Sequence, residues 1–505
     1  MTLSALASDY DLIIIGGGVT GAGLVREAVR TGARVLLVEQ GDFASGTSSW
    51  SSKLVHGGLR YLKNGQWRLT LESVRERQRL MHEAPGLIDP LTFLMPIYRG
   101  AKPDKLTMRI GLWLYDRMAG EGQGSRWIDR EALLKLEPEV RDEALLGAMQ
   151  YMDAGTDDAR MVLRLLLEAA AEGATVLNYV KAASLLRESE RVVGVRLRDE
   201  ETGEEREIGS GIVINATGAW ADLLPGLPAG GPKLRPLRGS HFVFPYERLP
   251  LQHAVSWLHP RDARPIFAYP WEGATVYGTT DLDHGAADVG DARMTPAESE
   301  YLLQGLAHQF PRLKLVASHA LSTYSGVRPV VAGGKADPSS ESRESAMWSG
   351  PGIVSLAGGK LTTFRVAARA MLREAAKQLP RLQPAAEQPI FSGADNEGKR
   401  RLFGRLGTQT RRMLAELPGE EQSQIENTPY RWAELRWAAR HERVVHLRDL
   451  LMRRTRIGLV MREGGASILP RVGEICRAEM SWDAARWAAE ERDYRTYWRS
   501  HHASR

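Results

Sequence analysis

The segment DLIIIGGGVTGAGLVREAVRTGARVLLVE fills residues 11–39. Residues 12–15 are a short apolar run and predict a buried strand. Gly16, Gly18 and Gly21 then satisfy G-x-G-x-x-G, a helical pattern follows, and residues 35–38 predict a second strand that ends in Glu39. Strand, glycine-rich turn, helix and a second strand closed by an acid make a βαβ unit of the dinucleotide-binding type. The glycines let the backbone turn tightly and approach a pyrophosphate. The helix start offers free N–H groups and the positive end of the helix dipole. Glu39 can accept hydrogen bonds from a ribose diol. An acid there fits the unphosphorylated ribose of NAD or of the adenosine half of FAD, and argues against NADP.

Working outward, 505 residues predict two or more domains with a sizeable core. Lys and Arg number 67 against 62 Asp and Glu, a net charge of +5, which by itself does not imply nucleic acid. Cys476 is the one cysteine, so an internal disulfide and a thiolate metal cluster are excluded, and a reducing compartment fits. Residues 1–11 lack a basic region and a long apolar core, so no signal peptide is expected. No apolar run reaches the length of a bilayer span. H-E-x-x-H, G-x-S-x-G and P-loop motifs are absent, so metal hydrolysis, serine esterase chemistry and ATP hydrolysis lack support.

Residues 41–65, GDFASGTSSWSSKLVHGGLRYLKNG, form a long segment dense in small and hydroxyl residues. Loops of that length are usually functional or disordered, and the apolar residues within it argue against disorder. Helices are expected near 69–83, 105–118, 158–172 and 296–310, and strands near 176, 192–197, 211–218, 241–244, 266–269, 275–278 and 353–356, with Pro96 closing a short strand. Turns at Gly16–Gly18, Asn215–Gly218 and Ala357–Gly359 all follow strands, and in open α/β sheets ligands sit at such strand ends. From about residue 389 the chain reads as helical and rich in Arg and Trp.

Several polar residues suit chemistry. His56 and His241 could take a proton from an alcohol, since histidine titrates near neutrality. Arg328 lies in the apolar run SGVRPV and needs an anionic partner. Arg343 and Lys360 are further cations that would suit a phosphate or carboxylate substrate. Thr280 sits in a polar cluster after a strand. Each also has a plain structural reading: a capped loop, an edge residue, a surface ion pair or a simple turn.

The motifs TSSWSSKLVHGGLRYL, RGSH, YGTTD, TYSGVRPV, SRES and AGGKLTTFR, in that order, resemble the aerobic FAD-dependent glycerol-3-phosphate dehydrogenases, within the amino-acid-oxidase-like flavoproteins. ELRWAARHERVVHLRDLLMRRTRIGL resembles the family's helical C-terminal domain. The resemblance implies an α/β fold: a Rossmann-like FAD-binding domain at 8–97, 150–240 and 325–388, an inserted α+β substrate domain at 98–149 and 241–324, and an all-α C-terminal domain at 389–505. It implies FAD held by Gly16, Gly18, Gly21 and Glu39, with Ser48, Ser49, Ser52 and Lys53 lining its path. Thr217, Gly218, Gly359, Lys360, Leu361 and Thr362 would approach it from the other strand ends. Arg60, Tyr61, Thr280, Arg328, Arg343 and Lys360 would bind substrate, and His56, His241 and Arg328 would act on it.

The function expected is oxidation of sn-glycerol 3-phosphate to dihydroxyacetone phosphate, C2 giving a hydride to flavin N5 and a quinone taking the electrons. An oxidase using oxygen is the alternative. A basic nucleic-acid-binding protein with a vestigial flavin fold is the third reading, carried by KRRLFGR and RRTR. Against it, those arginines alternate with apolar residues and acids, the pattern of a solvated helix face. Residues 105–118 place Leu106, Ile110, Leu112, Trp113, Leu114 and Tyr115 in one helix among Lys and Arg, the composition of an interfacial helix. The expected location is therefore cytoplasmic, peripheral on the inner face of an anionic cell membrane, and a homodimer is compatible with the resemblance.

Overall fold

The computed structural model describes residues 3–59, 65–120, 124–227, 230–285, 288–334, 341, 345–393 and 398–504. Its first sheet has eight strands, in the order Ala346–Gly350, Ile353–Ala357, Glu205–Asn215, Asp9–Ile15, Val35–Val38, Thr175–Leu177, with Arg191–Asp199 and Val180–Glu188 added through Glu205–Asn215. The run from Ile353–Ala357 to Thr175–Leu177 is parallel. Parallel strands are covered on both faces, which is why Leu12, Ile13, Ile14 and Leu36 are all buried with no alternation. Helices Val19–Val29, Asp158–Ala171 and Phe364–Ala376 cover one face and share a core with it.

The second sheet has ten strands and is mostly antiparallel. Its backbone order is Leu282–Asp283, Leu234–Pro245, Ala274–Gly278, Pro265–Trp271, Ala254–Leu258, Ile88–Tyr98, Leu145–Thr156, Leu54–Val55, and Ser322–Val331 pairs with Leu234–Pro245 along ten positions. The sheet takes in all of Ile88–Tyr98 and Leu145–Thr156, so its pairing crosses the expected boundaries at 97 and 150, and Leu234–Pro245 and Ser322–Val331 cross those at 240 and 324. Pro96 does not close its strand, which runs on to Tyr98. The reason is local: pairing on the far side stops at Phe93 and Leu94, so Pro96 sits where one flank needs no N–H donor.

After residue 389 the chain is helical, with Arg400–Leu406, Gln409–Glu416, Trp432–His441, Leu469–Met480 and Ala484–His501 as main elements. Strand pairing among its described residues is limited to a bridge between Gln424 and Arg431. This tail packs on the second sheet: Leu435, Leu451, Ile457 and Trp498 share one core with Tyr269, Trp271, Val276 and Tyr324. No helix among the described residues is long and apolar enough to cross a membrane.

Candidate active site

Asp9–Ile15, Glu205–Asn215 and Ile353–Ala357 are parallel neighbours, so the turns that follow them leave the sheet on the same edge. Gly16 has φ 114°, and a Cβ there would lie 2.5 Å from the Ala216 carbonyl oxygen of the adjacent turn. A Cβ on Gly21 would lie 1.9 Å from the Gly16 carbonyl oxygen. The helix Val19–Val29 can therefore start hard against the strand end only because both positions lack a side chain. Gly18 is its N-cap without a side-chain cap, and the Val19 N–H donates to Ser48 Oγ at 2.9 Å. Glu39 accepts from the N–H groups of Gly17 at 2.7 Å and Gly41 at 2.9 Å; burial pushes its carboxyl up, and those donors oppose the shift. A Cβ on Gly359 would come within 3.8 Å of Thr20 Oγ1, so the third turn reaches the first turn of this helix. Thr217 donates from Oγ1 to Asn215 Oδ1 at 2.7 Å, which leaves Gly218, at φ 62°, to continue the turn. A close-packed glycine edge at a helix start, with an acid beyond it, fits the pyrophosphate and ribose of a dinucleotide.

The segment after Glu39 carries this edge across to the second sheet. Thr47 Oγ1 donates to the Val327 carbonyl of Ser322–Val331, and Ser52 Oγ lies 3.0 Å from His241 Nε2. His241 is buried, stacks on Tyr324 with ring centroids 4.6 Å apart, and has no hydrogen-bond partner for Nδ1 among the described residues. Burial pushes its imidazole well below the ordinary pKa, and the charges of Arg328 and Lys53 act in the same direction. Arg328 donates to Asp281 Oδ1 at 2.9 Å, the Thr280 carbonyl at 3.3 Å and Thr279 Oγ1 at 3.2 Å. Among the described residues it pairs with the anionic Asp281, and its side chain stays 27% exposed. Thr280 donates to Glu298 Oε1 at 2.7 Å and accepts from the Ser240 N–H at 2.9 Å, which makes its hydroxyl part of the frame beneath His241.

His56 follows the strand Leu54–Val55 and is bonded through its backbone to the third turn. Its N–H donates to Thr362 Oγ1 and its carbonyl accepts from the same hydroxyl, both at 3.2 Å. Burial pushes the His56 imidazole down; Asp153 opposes this, and Lys360 and Arg77 add to it. The same turn holds Lys360 and the half-buried Leu361. Asp153 also accepts from the Gly57 N–H at 3.1 Å and the Tyr115 hydroxyl at 2.6 Å. Arg60, Tyr61 and Arg343 lie outside the described residues.

Residues 11–365 match the family described as FAD dependent oxidoreductase, and residues 354–487 match the C-terminal domain of alpha-glycerophosphate oxidase. The chain is 37% identical over 377 residues to the aerobic glycerol-3-phosphate dehydrogenase of Staphylococcus haemolyticus, covering 74% of this chain and 68% of that protein. It is 38% identical over 361 residues to the Bacillus subtilis protein of that name, covering 70% and 65%. The chain belongs to the aerobic glycerol-3-phosphate dehydrogenase family. Among solved structures, the glycerol-3-phosphate dehydrogenase from Bacillus halodurans complexed with FAD superposes with a TM-score of 0.78 at 28% identity, over 98% of this chain and 95% of that one. L-alpha-glycerophosphate oxidase from Mycoplasma pneumoniae shares the fold, with a TM-score of 0.57 at 18% identity over 76% and 98%. The dinucleotide that the glycine edge fits is, for this FAD-dependent family, FAD.

For a member of this family, two features depart from the sequence reading. Lys53 is fully buried; its ammonium donates to Asp158 Oδ1 at 3.0 Å and the Ser49 carbonyl at 2.8 Å, and burial pushes it down to about 8. Its charge therefore serves the loop, and Ser49 likewise donates inward, to the Ala44 carbonyl at 2.6 Å. Four of the tail arginines do not belong to a solvated face. Arg405, Arg453, Arg454 and Arg456 are buried, paired with Asp157, Asp42, Asp449 and Asp158. Their charges are neutralised inside the protein, which takes RRTR and Arg405 out of the footprint expected for nucleic acid, while Arg400 of KRRLFGR stays at the surface paired with Asp89. Asp42, Asp157 and Asp158 carry no motif; only their burial among arginines marks them.

Proposed function

We propose that this chain oxidises sn-glycerol 3-phosphate to dihydroxyacetone phosphate. The observation that carries the reading is the junction where the glycine edge of the first sheet meets His241 and Arg328 of the second, joined through Ser52. Bound FAD would supply the two-electron acceptor, taking the C2 hydride at N5. Gly16, Gly18, Gly21, Glu39, Ser48, Thr217, Gly218, Gly359, Leu361 and Thr362 would hold it. His241 takes the C2 hydroxyl proton at Nδ1: the O–H bond breaks, an N–H bond forms, and the neutral imidazole becomes imidazolium. Its depressed pKa keeps it neutral and ready at neutral pH. Arg328 stabilises the developing alkoxide; a charged donor of this kind typically contributes about 2.7–4 kcal/mol. Arg60, Arg343 and Lys360 bind the phosphate with Tyr61, and His56 flanks the substrate from beside the third turn. Residues 8–97, 150–240 and 325–388 would make up the cofactor half, apart from those stretches of Ile88–Tyr98, Leu145–Thr156, Leu234–Pro245 and Ser322–Val331 that pair in the second sheet.

The electrons pass to a quinone at a membrane. Support comes from the helix Lys105–Ala119, which buries Met108, Leu112 and Tyr115 yet leaves Leu106 65%, Ile110 53% and Trp113 54% exposed. These three lie on one outward stripe beside Lys105, Arg109 and Arg117, fitting insertion into an anionic surface. Oxygen as acceptor is the second reading, favoured by the similarity of residues 354–487 to the oxidase domain.

The deciding experiment is anaerobic addition of glycerol 3-phosphate to the purified yellow protein. Bleaching of the flavin band, absent with glycerol, is expected. A flavin that stays oxidised overturns the reading. Admitting oxygen or a soluble quinone afterwards separates the two acceptors by which one restores the colour.

A further inference from the structure

We propose that Ser52 is a positioning residue that holds His241 with Nε2 protonated and Nδ1 bare, and that Asp158 with Arg456 of the helical tail holds Ser52 in place. The inference rests on the reading of His241 as the base.

The His241 ring cannot turn. One face stacks on Tyr324 at an interplanar angle of 9°, and the other lies against Gly278, where a Cβ would come within 2.4 Å of the ring. With the ring fixed, Nε2 has Ser52 Oγ at 3.0 Å as its partner, and Nδ1 has none among the described residues. A base must present a lone pair, so the proton of the neutral ring belongs on Nε2, donated to Ser52 Oγ. When Nδ1 takes the substrate proton, the same Nε2–H···Oγ bond persists in the imidazolium. Ser52 thus serves both protonation states with no rearrangement.

The position of Ser52 is set from a distance. Its neighbour Ser51 donates from both N and Oγ to Asp158 Oδ2, at 3.0 and 2.7 Å. Lys53, on the other side, donates to Asp158 Oδ1 at 3.0 Å. Tyr269 donates to the Ser52 carbonyl, and Tyr324 to the Ser51 carbonyl at 3.1 Å. Lys53 has φ 52°, a left-handed conformation that persists in a non-glycine residue only where the surroundings impose it. Asp158, buried at the start of Asp158–Ala171, is the hub of these bonds, and Arg456 closes it by donating to Asp158 Oδ1 and, at 3.3 Å, to the Ser49 carbonyl. The helical tail therefore reaches within two residues of the serine that orients the base. The charged groups facing the ring are Lys53 from the loop and Arg328 from Ser322–Val331, paired with Asp158 and Asp281 respectively; Tyr324 is the titratable group stacked on it.

The test uses the FAD-loaded enzyme. Ser52→Ala is expected to lower kcat about tenfold with KM little changed, a part of the roughly 10²–10⁴-fold that positioned proton transfer contributes. Losing the Nε2–H acceptor destabilises the imidazolium, so the acidic limb of the kcat–pH profile moves to lower pH, and Ser52→Thr restores it. Asp158→Asn should lower kcat in the same sense, with little further loss when combined with Ser52→Ala, since both act through one bond. Arg456→Lys is the milder variant where Asp158→Asn fails to fold. Independently of turnover, 15N NMR of histidine-labelled protein should place the single proton of neutral His241 on Nε2 in the wild type and show a mixture of the two neutral tautomers in Ser52→Ala. Wild-type kcat and pH profile in Ser52→Ala, additive losses in the double variant, a change in KM alone, or an Nδ1-protonated wild-type ring would each overturn the proposal. A wild-type flavin that glycerol 3-phosphate does not bleach overturns the assigned reaction instead, and leaves the NMR arm standing.

Discussion

At Gly16 and Gly21 the backbone carries the role, whereas at Arg453, Arg454 and Arg456 the role lies wholly in what the side chains meet. The glycines allow a strand to end and a helix to begin within 1.9 Å of a would-be Cβ, a geometry that six consecutive residues specify. The arginines resemble, in sequence, any basic helical face. In the fold they enter the junction between the tail and the first domain, where Asp42 is 411 and 412 residues away from its two partners. A local motif constrains the chain through sterics that need no partner; a buried ion cluster exists only once distant segments have docked.

The largest expected effect comes from breaking the cluster. Among the described residues, Asp42→Ala leaves Arg454 hydrogen-bonded to backbone carbonyls and Arg453 to Asp449. Removing one partner of a buried pair costs about 3–5 kcal/mol, because the remaining charge stays desolvated. Thermal unfolding should show a large drop in Tm, and an unchanged Tm would mean that the junction opens to water. Next comes the glycine edge. Gly21→Ala gains helix propensity but drives its Cβ into the Gly16 carbonyl, and overpacking of this kind costs about 1–3 kcal/mol. The variant should lose bound flavin, read from its absorbance, as well as stability; full flavin content would show that the helix start can shift without harm.

A smaller effect separates the two regions by pH. Burial alone would push the Asp42 carboxyl up, but the guanidinium groups of Arg454 and Arg453 outweigh it and hold it at about 2. A carboxyl lowered on folding contributes stability that is complete above its unfolded value, about 3.9, and is lost as pH falls through the folded one. Wild-type stability should therefore decline between about pH 4 and pH 2, and Asp42→Asn should show a shallower decline there. An identical slope in both would place the acid sensitivity elsewhere. Smallest is Arg412→Ala, a tail arginine paired with Glu416 at the surface. Exposed pairs of this kind contribute little, so no measurable change in Tm is expected, and a clear loss would blur the distinction between the tail's two sorts of arginine.

How much of the site was legible follows the same division. The strand ends at Gly16, Gly218 and Gly359 share an edge as their glycine turns suggest, since parallel βα units put such turns on one side. Helix 105–118 was legible as interfacial, with Trp113 on its outward face, but not that Leu112 and Tyr115 of the same stretch would be buried. Ser52 reads in sequence as one of several cofactor-lining serines, and its bond to His241 depends on two sheets meeting. Asp158 gives no signal beyond a helix start.

By itself the sequence determined the βαβ cofactor edge, the helical character of the tail and the family, because backbone dihedrals, periodicity and long motifs are properties of neighbouring residues. Only the tertiary structure decided which arginines are buried, which aspartates neutralise them, and which nitrogen of His241 is left bare. Those outcomes depend on desolvation and on hydrogen bonds between residues as far apart as Ser52 and His241 or Asp158 and Arg456, and neither exists until the sheets and the tail have packed.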